Sequence, residues 1–338
     1  MKPRIGIIPG DPGGIGPELI AKLLAEPETQ ARGAILLIGD AHVFELGQRQ
    51  AGIAHVLHQV DPRAGDWTMA TAGAEGFAHL PHDTIGPEDV AIGAVSGASG
   101  RSTLQNLDLA LDLVAEGVID AIVFGPFNKA AMHLAGIGHA DELHYVAARQ
   151  GVEGYISELN TLDGIWTSRV TSHIPLRAVA DVIDGDRITE AVMLIERTLR
   201  RSGIRRPRIS VAALNPHAGD NGNFGREEID VIRPAVETIA ARQLAVDGPW
   251  PSDTVFLKAQ RREIDGIVTM YHDQGQIALK LMGFDRGVTV QGGLPFPMTT
   301  PAHGTAFDIA GQGVADLGAM RAAFDIACDM VQHWSAAA

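Results

Sequence analysis

The chain has 338 residues, enough for about two domains, and its hydrophobic fraction of 46% with only 5% aromatic residues indicates cores of Ala, Val, Leu and Ile. A formal net charge of −14 argues against nucleic acid and against an anionic membrane surface as partners, since both require clustered Lys and Arg. A single cysteine excludes an internal disulfide, and no apolar stretch approaches the roughly 18 residues of a membrane span, so we expect a soluble cytoplasmic protein.

Short apolar runs alternate along the chain with segments of helical periodicity. The first strand is predicted at Arg4–Ile8, followed by a helix from Glu18 and a second strand at Ile35–Gly39. The later predictions, in chain order, are a helix at Ser102–Glu116, a strand at Asp120–Phe124, a helix at Arg187–Arg201, a strand at Ile209–Leu214, a helix at Ile229–Arg242, a strand at Gly266–Tyr271 and a helix at Ala322–Trp334. This alternation predicts an α/β fold with largely parallel sheets and flanking helices.

Three loops between these elements carry candidate binding residues. Gly10–Gly16 (G-D-P-G-G-I-G) is typical either of a phosphate-cradling turn at a helix N-terminus or of a tight strand-to-helix turn. Gly125–Lys129 (G-P-F-N-K) ends a strand, and its Lys129 is either directed at a substrate or an exposed cation at a helix start. The Gly-, Ala- and Ser-rich segment Gly86–Gly100 is predicted to be a loop or arm.

Three histidines each stand at the end of a β-like run, beside turn-forming residues. They are His173 in V-T-S-H-I-P-L-R, His217 in V-A-A-L-N-P-H-A-G and His272 in V-T-M-Y-H-D-Q-G. Ligands of open α/β sheets bind at the carboxyl ends of strands, and three neutral imidazoles suffice to hold a catalytic divalent ion with one open position. Taken singly, each is more often a structural residue than a ligand, and no short H-x-x-x-H or C-x-x-C spacing supports a metal.

Two segments near the C-terminus have further binding potential. Ile277–Phe284 places Lys280 inside an apolar run, where an ammonium group must reach solvent or meet an anion. Pro301–Gly311 (P-A-H-G-T-A-F-D-I-A-G) is dense in small residues that let a flat ligand approach the backbone. A purely structural glycine turn is the alternative for this second segment.

Together these motifs resemble the 4-hydroxythreonine-4-phosphate dehydrogenase family over nearly the whole chain. The matching runs, in order, are G-D-P-G-G-I-G-P-E, G-P-F-N-K, S-H-I-P-L-R, L-N-P-H-A-G-D, S-D-T, Y-H-D-Q-G, L-K-L-M-G-F and H-G-T-A-F-D-I-A-G-Q-G. The last run is also similar to the adenosine-binding loop of isocitrate and isopropylmalate dehydrogenases. The resemblance implies their two-lobed α/β fold, with the active site in the interlobe cleft and at the interface of a homodimer.

The lobes are expected at residues 1–125 plus 290–338, with both termini and the NAD loop, and at 126–289, with the metal-binding histidines and the dimer interface. Matched motif by motif, the resemblance assigns the metal ligands to His173, His217 and His272. It implies NAD as the cofactor, bound by His303, Gly304, Thr305 and Asp308. The ion it implies is Zn, or another divalent ion such as Co, Mg, Mn or Ni.

The resemblance also implies substrate contacts, at positions where this chain partly departs from the family. Substrate contact is expected at His139 and Lys280. Ala140 replaces the Thr of the family's G-H-T-E, Thr289 replaces the Asn of R-G-V-N, and Met298 stands where an Arg follows L-P-F. Losing a charged donor to a bound anion costs about 1.5–3 kcal/mol. The three departures together argue against a phosphorylated substrate.

The chemistry that fits is oxidation of a secondary alcohol β to a carboxylate, dependent on NAD and a divalent ion, with decarboxylation. Lys280, or an acid acting through water, would manage the protons, with Asp253 and Asp273 as base or orienting groups. We predict a paralogue with an altered small hydroxy-acid substrate, such as an unphosphorylated aromatic cis-dihydrodiol carboxylate. The alternatives are the true 4-hydroxythreonine-4-phosphate dehydrogenase of vitamin B6 (pyridoxal phosphate) biosynthesis and, from another class, a metal-dependent hydrolase that needs no NAD.

Overall fold

A computed structural model describes residues 2–70 and 76–334, and the chain divides into two units. Unit 1 comprises Met1–Val152 and Leu294–Gln332, and unit 2 comprises Glu153–Gly293 and His333–Ala338. Within the described ranges, no helix is long and apolar enough to cross a membrane.

Unit 1 contains a sheet whose described strands are all parallel. The strands are β1 (Arg4–Ile8), β2 (Ala34–Gly39), β3 (Leu57–Gln59), β4 (Phe77–Pro81), β5 (Ala121–Phe124) and β12 (Met298–Pro301). They lie in the order β3-β4-β2-β1-β5-β12. The helices are α1 (Gly16–Leu24), α2 (Pro27–Arg32), α3 (Ala41–Ala51), α4 (Trp67–Ala70), α5 (Gly97–Ala115), α6 (Lys129–Leu134), α7 (Glu142–Arg149) and, apart from its last residue, α13 (Gly318–His333).

Unit 2 contains a mixed sheet. Its strands are β6 (Ser157–Leu162), β7 (Ile165–Arg169), β8 (Ile209–Ala212), β9 (Val246–Trp250), β10 (Gly266–Thr269) and β11 (Val288–Gly292), in the order β11-β6-β7-β10-β8-β9. The four strands β7, β10, β8 and β9 are parallel to one another, whereas β6 is antiparallel to both β7 and β11. The helices are α8 (Val179–Val182), α9 (Gly185–Arg201), α10 (Arg233–Ala240), α11 (Ser252–Gln260) and α12 (His272–Gly283).

The predicted α/β class with largely parallel sheets and flanking helices is confirmed, and the reason is visible in the cores. In unit 1, β1 and β2 are apolar on both faces because helices cover both sides of a parallel sheet. Phe324 and Cys328 of α13 belong to this core, and burial raises the pKa of the Cys328 thiol to about 12. The lone cysteine is therefore a packing residue.

The observed boundary between the units differs from the predicted one at residues 125 and 126. The segment that contains α6 and α7 belongs to unit 1 because both helices pack against α5. A Cβ at Gly100 of α5 would lie 2.0 Å from the carbonyl oxygen of Ala131, so the two backbones are in contact. The Tyr145 hydroxyl of α7 donates to Asp108 of α5 at 2.7 Å.

α5 also begins earlier than the predicted Ser102. The Ser96 hydroxyl accepts a hydrogen bond from the backbone N–H of Ala98 at 3.1 Å, which caps the helix before Gly97. The last part of the predicted loop Gly86–Gly100 is therefore helical.

The loop after β1 meets the turn after β5 through glycine backbones. A Cβ at Gly16 would lie 2.1 Å from the Pro9 carbonyl oxygen, and a Cβ at Gly125 would lie 2.3 Å from the same atom. Only glycine permits such close approach of backbone to backbone. The Asp11 N–H donates to the Pro126 carbonyl at 3.1 Å, so the two loops are also joined by a hydrogen bond.

Asp11 is fully buried in this loop. Its Oδ1 accepts a hydrogen bond from the Gly13 N–H at 2.9 Å, while its Oδ2 has no hydrogen-bond partner among the residues that the structure describes. Burial raises the pKa of Asp11 to about 6, although the bond from Gly13 opposes the shift.

We expect Asp11→Asn to flatten the dependence of stability on pH. Because the folded pKa of about 6 exceeds the ordinary value of 3.8, the folded state binds this proton more tightly than the unfolded state. The protonated carboxyl therefore contributes stability at low pH that is lost as the pH rises from about 4 to above 6, a difference of about 3 kcal/mol. Urea unfolding from pH 4 to pH 7 measures it. The exposed Asp83→Asn variant is the control. If the free energy of unfolding of Asp11→Asn changed with pH as steeply as that of the wild type, this assignment would be wrong.

Candidate active site

Two of the predicted metal-binding histidines lie side by side in unit 2. β7 and β10 are parallel neighbours, so their carboxyl ends lie at the same edge. Beyond the strands the two chain segments stay joined, because both the N–H and the hydroxyl of Thr171 donate to the Met270 carbonyl, at 3.1 and 2.8 Å. His173 follows the first segment and His272 the second, and their ring centroids are 5.6 Å apart.

Asp273 contacts the ring of its neighbour His272. The His272 Nδ1 lies 2.7 Å from Asp273 Oδ1, while Asp273 itself is largely exposed. A carboxylate on one ring nitrogen orients the imidazole and leaves the other nitrogen for a ligand. Of the two roles predicted for Asp273, the geometry favours that of an orienting group.

His217 has a different environment, in the loop after β8. Five consecutive residues, 217–221, have positive φ, from 42° to 77°, and four of them are not glycine. Such a run is costly for L-residues and persists only where the surroundings hold it. Buried Glu228 fixes the chain that leads into this run, since it accepts from the N–H groups of Leu214 and Asn215 at 2.9 and 2.7 Å. The His217 ring contacts Phe224, with centroids 6.2 Å apart.

Among the described residues, no group of three or more His, Cys, Asp or Glu side chains is placed to hold a metal ion. The structure therefore brings together His173 and His272, and the assignment of His217 as the third ligand stays a prediction. Of the predicted catalytic groups, Lys280 lies on α12 two turns beyond His272, on the same side of the helix. Lys280 and Asp253, in the first turn of α11, are both exposed.

His139 and Ala140 lie in the exposed turn before α7 in unit 1. The His139 ring packs edge-on against Tyr145, with centroids 5.7 Å apart. The next residue, Asp141, caps α7 by accepting from the backbone N–H of His144 at 3.0 Å and contacts the His144 ring at 2.6 Å. Burial alone would raise the pKa of Asp141, but the hydrogen bonds from His144 hold it below its ordinary value. This turn is therefore anchored by an ionised carboxylate.

The two other positions that depart from the family pattern are buried. Thr289 of β11 in unit 2 accepts a hydrogen bond from the Asn160 side-chain amide at 3.0 Å. Met298 of β12 in unit 1 is fully buried, beside Ile122 of β5. A cation at position 298 would thus have to be accommodated in a hydrophobic core, which the thioether of Met298 fits without cost.

The loop with the predicted NAD-binding residues meets the two glycine-rich loops of unit 1. The Thr305 carbonyl accepts from the Ile15 N–H at 3.1 Å, and its hydroxyl accepts from the Asn128 side chain at 3.4 Å. A Cβ at Gly14 would lie 3.0 Å from Thr305, which explains the glycine there. The other three predicted residues are accessible: His303 is half-buried, and Gly304 and Asp308 are exposed.

Beside His272 the structure has a narrow gap between polar side chains, with no room for a water molecule. It is lined by Asn160, Thr167, Ser168, Arg169, Thr269, His272, Gly275 and Gln276. Of these, sequence reasoning singled out only His272. The available signal was the high content of polar residues in S-E-L-N-T-L and at the end of I-W-T-S-R, where Thr167, Ser168 and Arg169 are consecutive and so lie on both faces of the strand.

Comparisons with known proteins show which family this chain is similar to. The model of the family described as pyridoxal phosphate biosynthetic protein PdxA matches residues 31–327. A Pseudomonas aeruginosa protein provisionally named 4-hydroxythreonine-4-phosphate dehydrogenase 2 is 53% identical over 333 residues, which cover 98% of each chain.

Two solved structures are similar over almost the full length. The 4-hydroxythreonine-4-phosphate dehydrogenase of Klebsiella pneumoniae is 35% identical, with a TM-score of 0.83 over 98% of this chain and 99% of its own. A terephthalate 1,2-cis-dihydrodiol dehydrogenase of Burkholderia xenovorans LB400 is 28% identical, with a TM-score of 0.66 over 96% of this chain and 98% of its own. On the extent of the family match and the identity to these relatives, the chain belongs to the PdxA family.

Proposed function

We propose that this protein is a dehydrogenase, dependent on NAD and a divalent ion, that oxidises a secondary alcohol β to a carboxylate with loss of CO2. The observation that carries the proposal is the pairing of His173 and His272 at the carboxyl ends of β7 and β10, with Lys280 on the same side of α12 as His272. The names of the relatives, all of which are dehydrogenases acting on hydroxyl groups, support the reaction class.

The residue types present suit both implied groups, and two of the three predicted metal ligands, His173 and His272, lie side by side. His173 and His272, with His217 as the third ligand, would hold a divalent ion, and the contact between Asp273 and His272 is typical of a metal-binding imidazole. The His303–Asp308 loop would hold NAD, since it offers exposed backbone at Gly304 and a carboxylate at Asp308. When bound, the ion supplies Lewis-acid polarisation of the substrate oxygen, and NAD supplies a hydride acceptor.

The chain's own residues then have separate tasks. The Lys280 ammonium binds the substrate carboxylate or donates the proton that the carbon gains once CO2 has left, in line with its position beyond His272. Asp273 keeps the His272 ring in one orientation. Asp253, exposed in the first turn of α11, is the further acid or base.

For the substrate we propose a hydroxy acid without a phosphate group, which makes this chain a paralogue with altered specificity. The Met298 side chain is buried in a hydrophobic core, the Thr289 side chain ends in a neutral hydroxyl, and the Ala140 side chain has no polar atom. A bound phosphate has nearly two negative charges and needs cationic donors. The likeness to a dihydrodiol dehydrogenase supports an unphosphorylated carboxylate, whereas the names of the other two relatives favour the true phosphate substrate as the alternative.

We further propose a homodimer whose interface includes α12. Ile277 and Leu281 are four residues apart on this helix, and 59% and 84% of their surfaces are exposed. Ile174 and Leu176, which follow His173, are also exposed at 41% and 69%. Exposed apolar side chains at nearby positions of one helix or loop are typical of a protein–protein interface.

A substrate panel tests the reaction and the substrate together. We expect NAD reduction with an unphosphorylated hydroxy acid, a preference for NAD over NADP because Asp308 disfavours a 2′-phosphate, and weak turnover of 4-hydroxythreonine 4-phosphate. A kcat/KM of about 10⁴ M⁻¹s⁻¹ or more for 4-hydroxythreonine 4-phosphate would show that the chain is instead the dehydrogenase of vitamin B6 synthesis. Metal-dependent ester or amide cleavage without NAD binding would instead favour a hydrolase.

Elemental analysis tests the metal ligands. His272→Ala and His217→Ala should lose bound metal and activity, and Asp273→Asn should weaken metal affinity about 10- to 100-fold, because each removes a ligand or its orienting partner. His133→Ala, on the exposed side of α6, is the control. Stoichiometric metal in either histidine variant would show that the assignment is wrong.

Sedimentation tests the interface. Leu281→Lys should shift the protein from dimer to monomer at micromolar concentration, because it places a charge in the proposed apolar contact. Leu134→Lys is a matched control, since Leu134 is 67% exposed on α6 in unit 1. A dimer of unchanged affinity in Leu281→Lys would exclude α12 from the interface.

A further inference from the structure

The strand order of unit 1 reverses at β1. This strand has β2 on one side and β5 on the other, both parallel to it, and the chain reaches β5 only after β2, β3 and β4. In open α/β sheets, ligands bind beyond the carboxyl ends of the two strands that flank such a reversal. The topology of unit 1 therefore predicts a ligand beside the loops that follow β1 and β5.

The segment after β12 lies at this same edge of the sheet, and we call residues 303–315 the edge segment. β12 is the parallel neighbour of β5, and Thr305 accepts hydrogen bonds from both loops, from Ile15 and from Asn128. A Cβ added at Gly304 would have no heavy atom within 4 Å beyond those of its chain neighbours, so the backbone there is open to a ligand. Thr305 is the first attachment of the edge segment.

A second attachment joins the other end of the edge segment to α1. The Lys22 ammonium donates to the carbonyl oxygens of Gly313 and Ala315, at 3.0 and 2.7 Å, and to Glu18 Oε1 at 2.7 Å. The same Glu18 oxygen accepts from the N–H of Ala315 at 2.8 Å. An ammonium has three N–H donors, so Lys22 uses all of them in this attachment.

The ion pair of the second attachment is largely withdrawn from water. Glu18 is fully buried, and 20% of the Lys22 side chain is exposed. Glu18 Oε2 has no hydrogen-bond partner among the residues that the structure describes, so the carboxylate depends on the bonds to its other oxygen. Removing only the cation would leave a buried charge uncompensated. An informative variant therefore removes both charges together.

The edge segment, which the structure describes in full, has turns between its two attachments but no helix or strand. The Ile309 N–H donates to the Ala306 carbonyl at 3.1 Å, and the Gln312 N–H donates to the Ile309 carbonyl at 3.2 Å. Segments with so few internal hydrogen bonds open locally at low cost. Fixing both ends lowers the conformational entropy that a ligand would otherwise have to remove.

The middle of the edge segment has a further contact that does not involve Lys22. The side chains of Ala306, Ile309 and Ala310 pack against the hydrophobic core of unit 1. Loss of the second attachment should therefore loosen residues 311–315 and leave the rest of the protein folded.

We propose that Glu18 and Lys22 are positioning residues for NAD, which hold the edge segment in its binding conformation before the dinucleotide arrives. Neither side chain needs to touch NAD, because both act through the backbone of residues 313–315. The inference rests on the proposed function, since it takes the ligand of the edge segment to be the NAD of that reaction.

Hydrogen exchange of the protein without NAD tests the attachment. Glu18→Gln/Lys22→Met removes both charges, and the amide oxygen introduced at position 18 can still accept from Ala315. We expect the amides of residues 311–315 to exchange at least about tenfold faster in this double variant, because local opening sets their rate. The amides of β1 should exchange as in the wild type. Unchanged exchange at 311–315 would refute the proposal.

Calorimetry with NAD tests the positioning. Glu18→Gln/Lys22→Met should bind NAD about 5- to 20-fold more weakly, because the ligand must then order the edge segment itself. At saturating NAD, kcat for the hydroxy acid that the wild type oxidises should stay within about twofold, since the reacting groups are unchanged.

Two further variants complete the set. Lys22→Arg keeps a charged group with enough donors for all three acceptors and should retain NAD affinity to within about threefold. Lys22→Gln keeps two N–H donors without the charge and serves if the double variant fails to fold. Lys2→Met is the matched control, because Lys2 is an exposed lysine of unit 1 that bonds the carbonyl of Gln30. It should change neither the exchange of the edge segment nor the affinity for NAD.

The outcomes distinguish the inference from the proposed function. If the wild type binds no NAD, the proposed cofactor is wrong and the inference fails with it. If the wild type binds NAD and the double variant binds it equally well, the inference alone is refuted, because the attachment then has only a structural role. A fall in kcat at saturating NAD as large as the loss of affinity would also refute it, since the effect would then extend beyond cofactor binding.

Discussion

The parallel pairing of β7 with β10 is the interaction on which the candidate site depends. Thr269 pairs with Arg169, so the two strands end level and the segments after them leave the sheet together. His173 and His272 meet for this reason, although 99 positions separate them along the chain. A slip of one residue would turn every side chain of β7 to the opposite face, which would separate the histidines and remove Arg169 from Glu158.

Buried polar and charged side chains lie beside the pairing of β7 with β10. Burial lowers the pKa of the Arg169 guanidinium, although the Glu158 carboxylate opposes the shift. A charge in that position is tolerated because its partner is fixed on the neighbouring strand. The same principle applies to the amide and hydroxyl groups around Asn160, which can be buried because each has a defined partner. Folding therefore requires that each of these buried polar groups keep its partner.

Sequence periodicity predicted the long helices and the apolar parallel strands because burial on a helix face or in a covered sheet leaves a regular pattern, as in Ile188, Val192, Ile195 and Leu199 of α9. It missed β3, β4, β6, β7, β9, β11 and β12. In β6 and β11 the buried face is polar, so their sequences resemble those of solvent-exposed segments. The left-handed run at 217–221 was also not predicted, since no sequence pattern indicates positive φ at four residues that are not glycine. Motif matching found His173 and His272, whereas Asn160 and Gln276 belong to no motif and emerge only from strand register.

The glycine contacts around the Pro9 carbonyl have a consequence for how unit 1 meets any ligand. Gly16 and Gly125 leave no side chains at the point where the two loops touch, and the neighbouring backbones are already in van der Waals contact. A surface made of such backbone has few rotamers to freeze and little room to shift. Binding there loses little conformational entropy, so even modest contacts yield useful affinity. The same rigidity prevents the contact between the two loops from shifting to fit a new ligand. Only the residues around it can adapt.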